Sequence, residues 1–535
     1  MSAAYPQHRP VTMAQHGVVA APHYLAAQAG LDMLKAGGNA IDAAIAANAT
    51  LQVVYPQLLG LGGDLFILLH SGKDGQLHAL NASGRSPAGA TIERYHALGQ
   101  TTMPGYGLLS VTVPGCADGW EMAATRFGRL GLARTLAPAI AYAEDGFPVS
   151  VGVHNALTRM NAAAHTHRSW RDNFAPGGHI PAAGSVARAP HLGATLRAIA
   201  EQGAAAFYTG AVAKRIAAFF AAEGGLITLE DLAAHHGDWV TPLAVPFGGL
   251  QVYELPPNTQ GVTALQMLGI AAAHPVGADP LDADTVHIAV EAKKLAFADR
   301  AAYVTDPDHM RLDPAALIAP GYLHERAARI DPRRAMASPA GSGRSGDTVY
   351  LCAADEEGNA VSLIQSNFRG FGSGYVVDGT GIALQNRGAY FSLDPAAANA
   401  LAPNKRTLHT LIPSLALRDG RPEVIFGTMG GDGQPQTHLQ VYTALERFGM
   451  NIQAALELPR WVHESDPHAT VERLWLESRF PEATLAELAE RGHQVSTAGA
   501  WDSQMGHAQG IVIDHAAGVL HGGADPRAEG AAVGW

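Results

Sequence analysis

DTVYLCAADEEGNAVSLIQSNF, residues 347–368, is the stretch whose reading decides the fold. Thr348 opens a short apolar strand that runs to Ala354. Asp355-Glu-Glu-Gly-Asn359 makes a turn, and Ala360 to Ser366 returns as a second strand. Upstream, Gly341-Ser-Gly-Arg-Ser-Gly346 has turn composition and no apolar pattern, which predicts a mobile approach to a buried strand. If the Asp347–Thr348 bond is cut, Thr348 becomes an N-terminus. One residue then carries a hydroxyl nucleophile and the amine that can take its proton. An α-amine titrates at about 7.7–8.0, close to working pH, where a general base is most useful. Locally, a loop leading into an ordinary hairpin explains the same residues, so the choice depends on the rest of the chain.

That chain has 535 residues, enough for one large domain or two to three smaller ones. A hydrophobic content of 47%, with 60 Gly and 32 Pro, suits a loop-rich globular protein. The net charge of −12 comes with no basic cluster, which argues against a nucleic-acid partner. Cys116 and Cys352 are too few for a disulfide framework and fit a reducing compartment. Met1 to Gln15 holds no apolar run of secretory length, and no stretch of about 20 apolar residues predicts a membrane span. The expectation is a cytoplasmic protein without a membrane partner.

Working outward, Leu25–Lys35 reads as a helix ending at Gly37-Gly38. Asn39 is placed to cap a second helix from Ala40 to about Gln52, with Asp42 three residues on. Gly60-Leu-Gly-Gly-Asp64 enters an apolar strand, Leu65–Leu69. A phosphate loop would leave a strand and open a helix, so these glycines predict close backbone packing rather than dinucleotide binding. Residues 120–340 are read as mainly helical, with a cap at Thr228/Asp231 and a long helix over Asp284–Tyr303. His287 and Glu291 share one face of that helix. A zinc reading needs a second histidine and a further ligand, and the sequence suggests neither, so a structural pair is expected. From 348 onward strands and turns are predicted, over 348–366, 374–386, 410–428 and 508–520.

Seven segments in order then resemble the γ-glutamyltransferases (γ-glutamyltranspeptidases), self-cleaving N-terminal-nucleophile hydrolases. They are AGLDMLKAGGNAIDAAIAANATLQVVYPQLLGLGGDLF (29–66), SVTVPG (110–115), VHIAVEAKKLAFADRAAYVTDP (286–307), DTVYLCAADEEGNAVSLIQSNFRGFGSG (347–374), FGTMGGDGQPQTHLQ (426–440), MNIQAALELPRW (450–461) and ADPRAEGAA (524–532). The resemblance implies an α+β fold, a four-layer αββα sandwich with two packed antiparallel sheets. It implies a proenzyme cut between Asp347 and Thr348 into a large-subunit segment 1–347 and a small-subunit segment 348–535, which stay associated as one intertwined domain. A homodimer of the processed unit is left open. By the same resemblance Thr348 is the nucleophile, Ser366 the supporting hydroxyl, Gly430 and Gly431 the oxyanion donors, and Arg85 the arginine for the substrate carboxylate. No metal or organic cofactor is implied.

The departures concern the substrate. Where glutathione-using members carry an amide and an acid for the substrate ammonium, this chain has Arg387 and Tyr390. Phe368 stands where an asparagine is expected, and His409-Thr410 replaces a serine pair. Two arginines and no acid favour an acyl group without an ammonium. The pattern is similar to the branch that includes oxamate amidohydrolase and acylases. The expected function is therefore a threonine amidohydrolase or acyltransferase acting on a small acidic amide such as oxamate. The alternatives are a true γ-glutamyltransferase/glutathione hydrolase and an inert binding or scaffold homologue.

Overall fold

The computed structural model describes residues 7–337, 346–465 and 472–535. Most of the glycine/serine stretch before the hairpin, 341–345, lies outside the described residues.

Two seven-stranded antiparallel sheets organise the chain. Across the first the order is Ala531–Gly534, Gly17–Ala21, Asp347–Asp355, Ala360–Phe368, Asp64–Ser71, Gln76–Ala82 and Asp238–Val240. Across the second it is Thr12–Ala14, Val519–Ala524, Ala508–Asp514, Arg421–Thr428, Ser414–Arg418, Leu250–Glu254 and Leu243–Phe247. The inner faces meet through Phe66, Leu68, Tyr350, Ile364, Leu415, Ile425 and Ile511. The helices Tyr24–Lys35 and Ala40–Val54 cover the outer face of the first sheet. Gly261–Ala272, Ala283–Tyr303 and Gln434–Glu446 cover the second. The order helix, sheet, sheet, helix is the expected αββα sandwich. Both sheets take strands from either side of position 347/348.

Covering a sheet on both faces leaves no wet side for its central strands. All eight residues of Asp64–Ser71 and all nine of Ala360–Phe368 are buried, so these strands read as continuous apolar runs instead of alternating. The hairpin turn is closed by Asp355, whose Oδ1 accepts from the amides of Glu357 and Asn359 while Oδ2 accepts from Ala40 N, tying the turn to the second helix. Asn39 and Asp42 form the capping box that their spacing predicts, as do Thr228 and Asp231. At Gly62 an added β-carbon would lie 2.2 Å from the Ala383 carbonyl oxygen, and at Gly63 2.3 Å from that of Ser366. These glycines do serve close packing.

Two strand predictions change. Over 374–386 only the two-residue pair Val376–Val377 and Ile382–Ala383 forms, followed by a 3-10 turn at Arg387–Tyr390. Strand pairing in 410–428 begins at Ser414, because the preceding residues are drawn into the site described next. Cys116 and Cys352 are free and buried. No helix among the described residues is long and apolar enough to cross a membrane.

Candidate active site

Thr348 sits at an irregularity in the hairpin ladder. Asp347 pairs with Phe368 and Val349 with Gln365, so Thr348 alone faces Ser366 and Asn367. Such a bulge re-aims a side chain. Thr348 is buried, and its Oγ1 donates to Ser366 Oγ at 3.3 Å. Ser366 Oγ also accepts from Phe368 N at 2.6 Å, which orients it. That contact accompanies a left-handed Phe368, with φ of 77°. A bulky residue in this region is strained and is held by its surroundings.

Gly430 and Gly431 follow the strand Arg421–Thr428, with φ of 129° and 55°. Glycine adopts both values without a steric penalty. Neither amide N–H is taken by an acceptor among the described residues. A β-carbon on Gly346, two residues before Thr348, would stand 3.4 Å from Gly431 Cα and 3.1 Å from the Phe368 ring. The chain leading into Thr348 therefore runs beside the free amides. A hydroxyl, a supporting hydroxyl and two unoccupied backbone donors are the parts that acyl transfer needs.

Arg387 is among the bulkiest fully buried side chains. It is buried, and its Nη1 donates to Thr410 Oγ1 at 3.0 Å. Its Nε and Nη2 have no hydrogen-bond partner among the described residues. The guanidinium lies 4.3 Å from the Phe368 ring centroid and 5.6 Å from that of Tyr390. Burial lowers its pKa to about 10, and Tyr390, Asp64 and Asp432 oppose that fall. Tyr390, at the position expected to hold an acid, donates to Asp432 Oδ1 at 2.9 Å, and burial pushes its phenol far up, so it remains neutral.

Asp64 is paired with Ser366 across the sheet. Its Oδ1 accepts from Gly84 N (2.9 Å) and Gln385 Nε2 (3.1 Å), and its Oδ2 accepts from His409 Nε2 (3.0 Å). The other ring nitrogen of His409 accepts from Leu411 N, which fixes the tautomer. Burial raises Asp64 to about 6, with the Gly84 amide and Arg387 opposing. Burial and then Arg387 depress His409 far below its usual range, leaving it neutral. Sequence reading assigned no role to Asp64, although it closes the Gly60–Asp64 turn. It also missed Gln260, Arg300 and Asp432, which brace the loop behind Gly431.

The structure brings together Thr348, Ser366, Arg387, His409, Thr410 and the two glycines, but it separates Arg85 from Arg387. The strand Gln76–Ala82 ends with Ala82 opposite Leu65, so the next residue, Ser83, stands beside Asp64. Arg85 lies two residues further on. It contacts Asp238 Oδ2 and the His236 carbonyl, both at 3.4 Å, and lines a cleft of about 230 Å³ with Ser86, Val113, Asp231, His235 and His236. Buried Arg406 shares Asp238 at 2.5 Å and donates through Nε to the Ser83 carbonyl. Asp347 is placed only through its backbone pairing.

His493 supplies the second histidine that the His287/Glu291 spacing did not reveal, with ligand atoms within 4.8 Å of one another. Both ring nitrogens of His287 are already used, Nε2 on the Asp331 carbonyl and Nδ1 on His493 Nε2, each at 2.8 Å. Lys294 places its ammonium 2.6 Å from Glu291 Oε1, a charge that opposes a cation there. The cluster is a buried hydrogen-bonded chain bracing the long helix.

The sandwich and the hairpin threonine define the N-terminal-nucleophile class of hydrolases. The Gamma-glutamyltranspeptidase family profile matches residues 26–535, and the chain belongs to that family. It is 43% identical over 530 residues to the oxamate amidohydrolase proenzyme of Klebsiella pneumoniae, covering 97% of this chain and 98% of that protein. It is 40% identical over 520 residues to the glutathione hydrolase-like YwrD proenzyme of Bacillus subtilis, covering 97% and 98%. A crystal structure of cephalosporin acylase from Bacillus halodurans superposes with a TM-score of 0.92 at 43% identity, covering 100% of this chain and 98% of that one. The protein is thus a self-processing hydrolase of this family.

Proposed function

We propose that the protein cuts itself between Asp347 and Thr348 and then hydrolyses the amide of a small acyl group carrying a carboxylate and no ammonium, of which oxamate is the type. The carrying observation is Arg387: a buried guanidinium whose Nε and Nη2 have no partner among the described residues, flanked by neutral Tyr390 and by an Asp64 whose oxygens are already hydrogen-bonded. A planar carboxylate satisfies such a fork, whereas an ammonium beside it is repelled. Arg387, rather than Arg85, then carries the acid, with His409 and Thr410 framing it.

In turnover the Thr348 hydroxyl adds to the amide carbonyl and its proton passes to the Thr348 α-amine. The Gly430 and Gly431 amides hold the oxyanion. The amine leaves with that proton, giving an acyl ester. Water then adds to the ester, and the acid departs with Thr348 restored. During maturation the same hydroxyl attacks its own preceding bond, beside which Gly346 and Gly431 already lie. The segments 1–347 and 348–535 stay joined because both sheets mix their strands. Two free, buried thiols support a cytoplasmic setting.

Intact mass under denaturing conditions, beside Thr348→Ala, tests the processing. Two fragments meeting at 347/348 only in the parent are expected, and one uncut chain in both would revive the scaffold reading. Rates on 1 mM oxamate and on γ-glutamyl-p-nitroanilide test the acyl group. Turnover of the γ-glutamyl compound alone would replace the oxamate reading with the γ-glutamyltransferase one, which the relative from Bacillus subtilis keeps in view.

A further inference from the structure

We propose that Gln260 is a positioning residue that locks the Gly430–Gly431 loop to the loop holding the substrate carboxylate, so that the oxyanion donors and Arg387 share one frame. This rests on the roles given above to Thr348, the two glycines and Arg387.

Gln260 is buried and stands immediately before the helix Gly261–Ala272. Its backbone is pinned, with Gln260 N donating to the His409 carbonyl (2.9 Å) and His409 N to the Asn258 carbonyl (2.8 Å). From there one amide side chain reaches two loops and the helix Ala283–Tyr303. Nε2 donates to the Thr410 carbonyl at 2.9 Å and to the Gly431 carbonyl at 3.0 Å. Oε1 accepts from Arg300 Nη1, which also reaches Asp432 Oδ1 at 2.6 Å. Tyr390 donates to that same Asp432 oxygen, Arg387 lies against the Tyr390 ring, and Arg387 returns to Thr410 Oγ1. The contacts close into a ring with Gln260 at its centre.

The arrangement needs an amide, since both N–H bonds of one nitrogen and the facing oxygen are used together. The Gly431 carbonyl already accepts from Gln434 N, and Gln260 holds it from a second side, which fixes the peptide that follows the donor pair at a residue with φ of 55°. Donors displaced by about 1 Å lose on the order of 100-fold in rate. Gln260 touches no reacting atom, so its effect belongs in kcat and in the rate of self-cleavage, with KM left to Arg387.

Gln260→Glu is the test, because it keeps the shape and the Arg300 contact and removes both donors. Intact mass gives the fraction with Thr348 as N-terminus, and kcat on oxamate is expressed per such site. The expected result is a fall of about 10- to 100-fold in kcat with KM within about threefold, and slower cleavage. The thermal midpoint of Thr348→Ala/Gln260→Glu should lie within about 5 °C of that of Thr348→Ala, two uncleaved chains compared directly. The new oxygen faces the Thr410 and Gly431 carbonyls at a cost of about 1–3 kcal/mol spread over a large domain. A kcat within twofold of the parent, a rise in KM alone, or a midpoint lowered by more than about 5 °C would overturn the proposal and make Gln260 a binding or fold residue. Failure of the parent itself to expose Thr348 would instead sink the reading beneath it.

Discussion

Arg387→Met should separate stability from activity, and the structure gives the sign of each. The guanidinium is buried with two N–H groups unpartnered among the described residues, and burial holds it at about 10 instead of 12.5. At neutral pH that difference costs the folded state about 3 kcal/mol. Methionine fits the slot between Phe368 and Tyr390 without that cost. It gives up the Thr410 hydrogen bond and the ring contact with Phe368, together worth about 2 kcal/mol. The variant should therefore match the parent or exceed it by about 1 kcal/mol, as when buried charges are replaced by apolar groups of similar size. Catalysis moves the other way. Two hydrogen bonds to a substrate carboxylate, at about 1.5–3 kcal/mol each, correspond to a loss of roughly 10²- to 10⁴-fold in kcat/KM. Urea unfolding in the Thr348→Ala background measures the first effect on uncleaved chains. Initial rates on oxamate, normalised to cleaved enzyme, measure the second. A variant that loses stability and activity together would make Arg387 a structural residue, and a kcat/KM within threefold of the parent would remove it from the substrate site.

Asp64 offers a test by pH. Its folded pKa, about 6, lies above the ordinary 3.8, so the stability linked to its proton is present at low pH and is lost as pH rises through about 6. Asp64→Asn cannot lose a proton; its unfolding free energy relative to the parent should shift in its favour by up to about 3 kcal/mol between pH 4 and 7, and a flat difference in urea titrations would refute this. Gly431→Ala should cost about 1–2 kcal/mol of backbone strain at a φ of 55°. By displacing the amide that alanine still carries, it should also reduce kcat about 100-fold; normal turnover would show that the donor geometry does not depend on a glycine there. Remote from the site, buried Glu477 accepts from Arg527 Nε at 2.7 Å and Nη2 at 2.6 Å and from Arg479 Nη2 at 2.5 Å. Glu477→Gln should lower stability by about 3–5 kcal/mol by leaving arginine charge uncompensated, read as a lower urea midpoint, and an unchanged midpoint would contradict it.

What was legible in the sequence follows the distance along the chain between interacting residues. The Asn39/Asp42 and Thr228/Asp231 caps, the Asp355–Asn359 turn and the glycines of Gly60–Asp64 all act within a few residues of themselves, and their chemistry shows in the local string. The hairpin opened by Thr348 and the pair Gly430-Gly431 are legible for the same reason. Strand lengths over 374–386 were misjudged because the apolar residues there pack against helices and loops instead of pairing along an edge.

The site fails to be legible where its partners come from afar. Asp64 and His409 are separated by 345 positions, and Gln260 and Gly431 by 171. No local pattern announces either contact. Arg85 shows the converse difficulty, since a loop arginine after Asn81-Ala-Ser-Gly matches a resemblance by type, yet its partners His236 and Asp238 lie 151 and 153 positions away. The strand before it ends at Ala82, and beyond that point Arg85 turns to Asp238 and the His236 carbonyl. The inward charge is Arg387, whose 3-10 turn could not be separated by pattern from the strand predicted around it. A buried arginine with free donors conflicts with every local rule for a stable core, and such conflicts concentrate where a ligand supplies the missing partner. The residue least expected from folding rules alone is for that reason the one whose removal best tests what the fold is for.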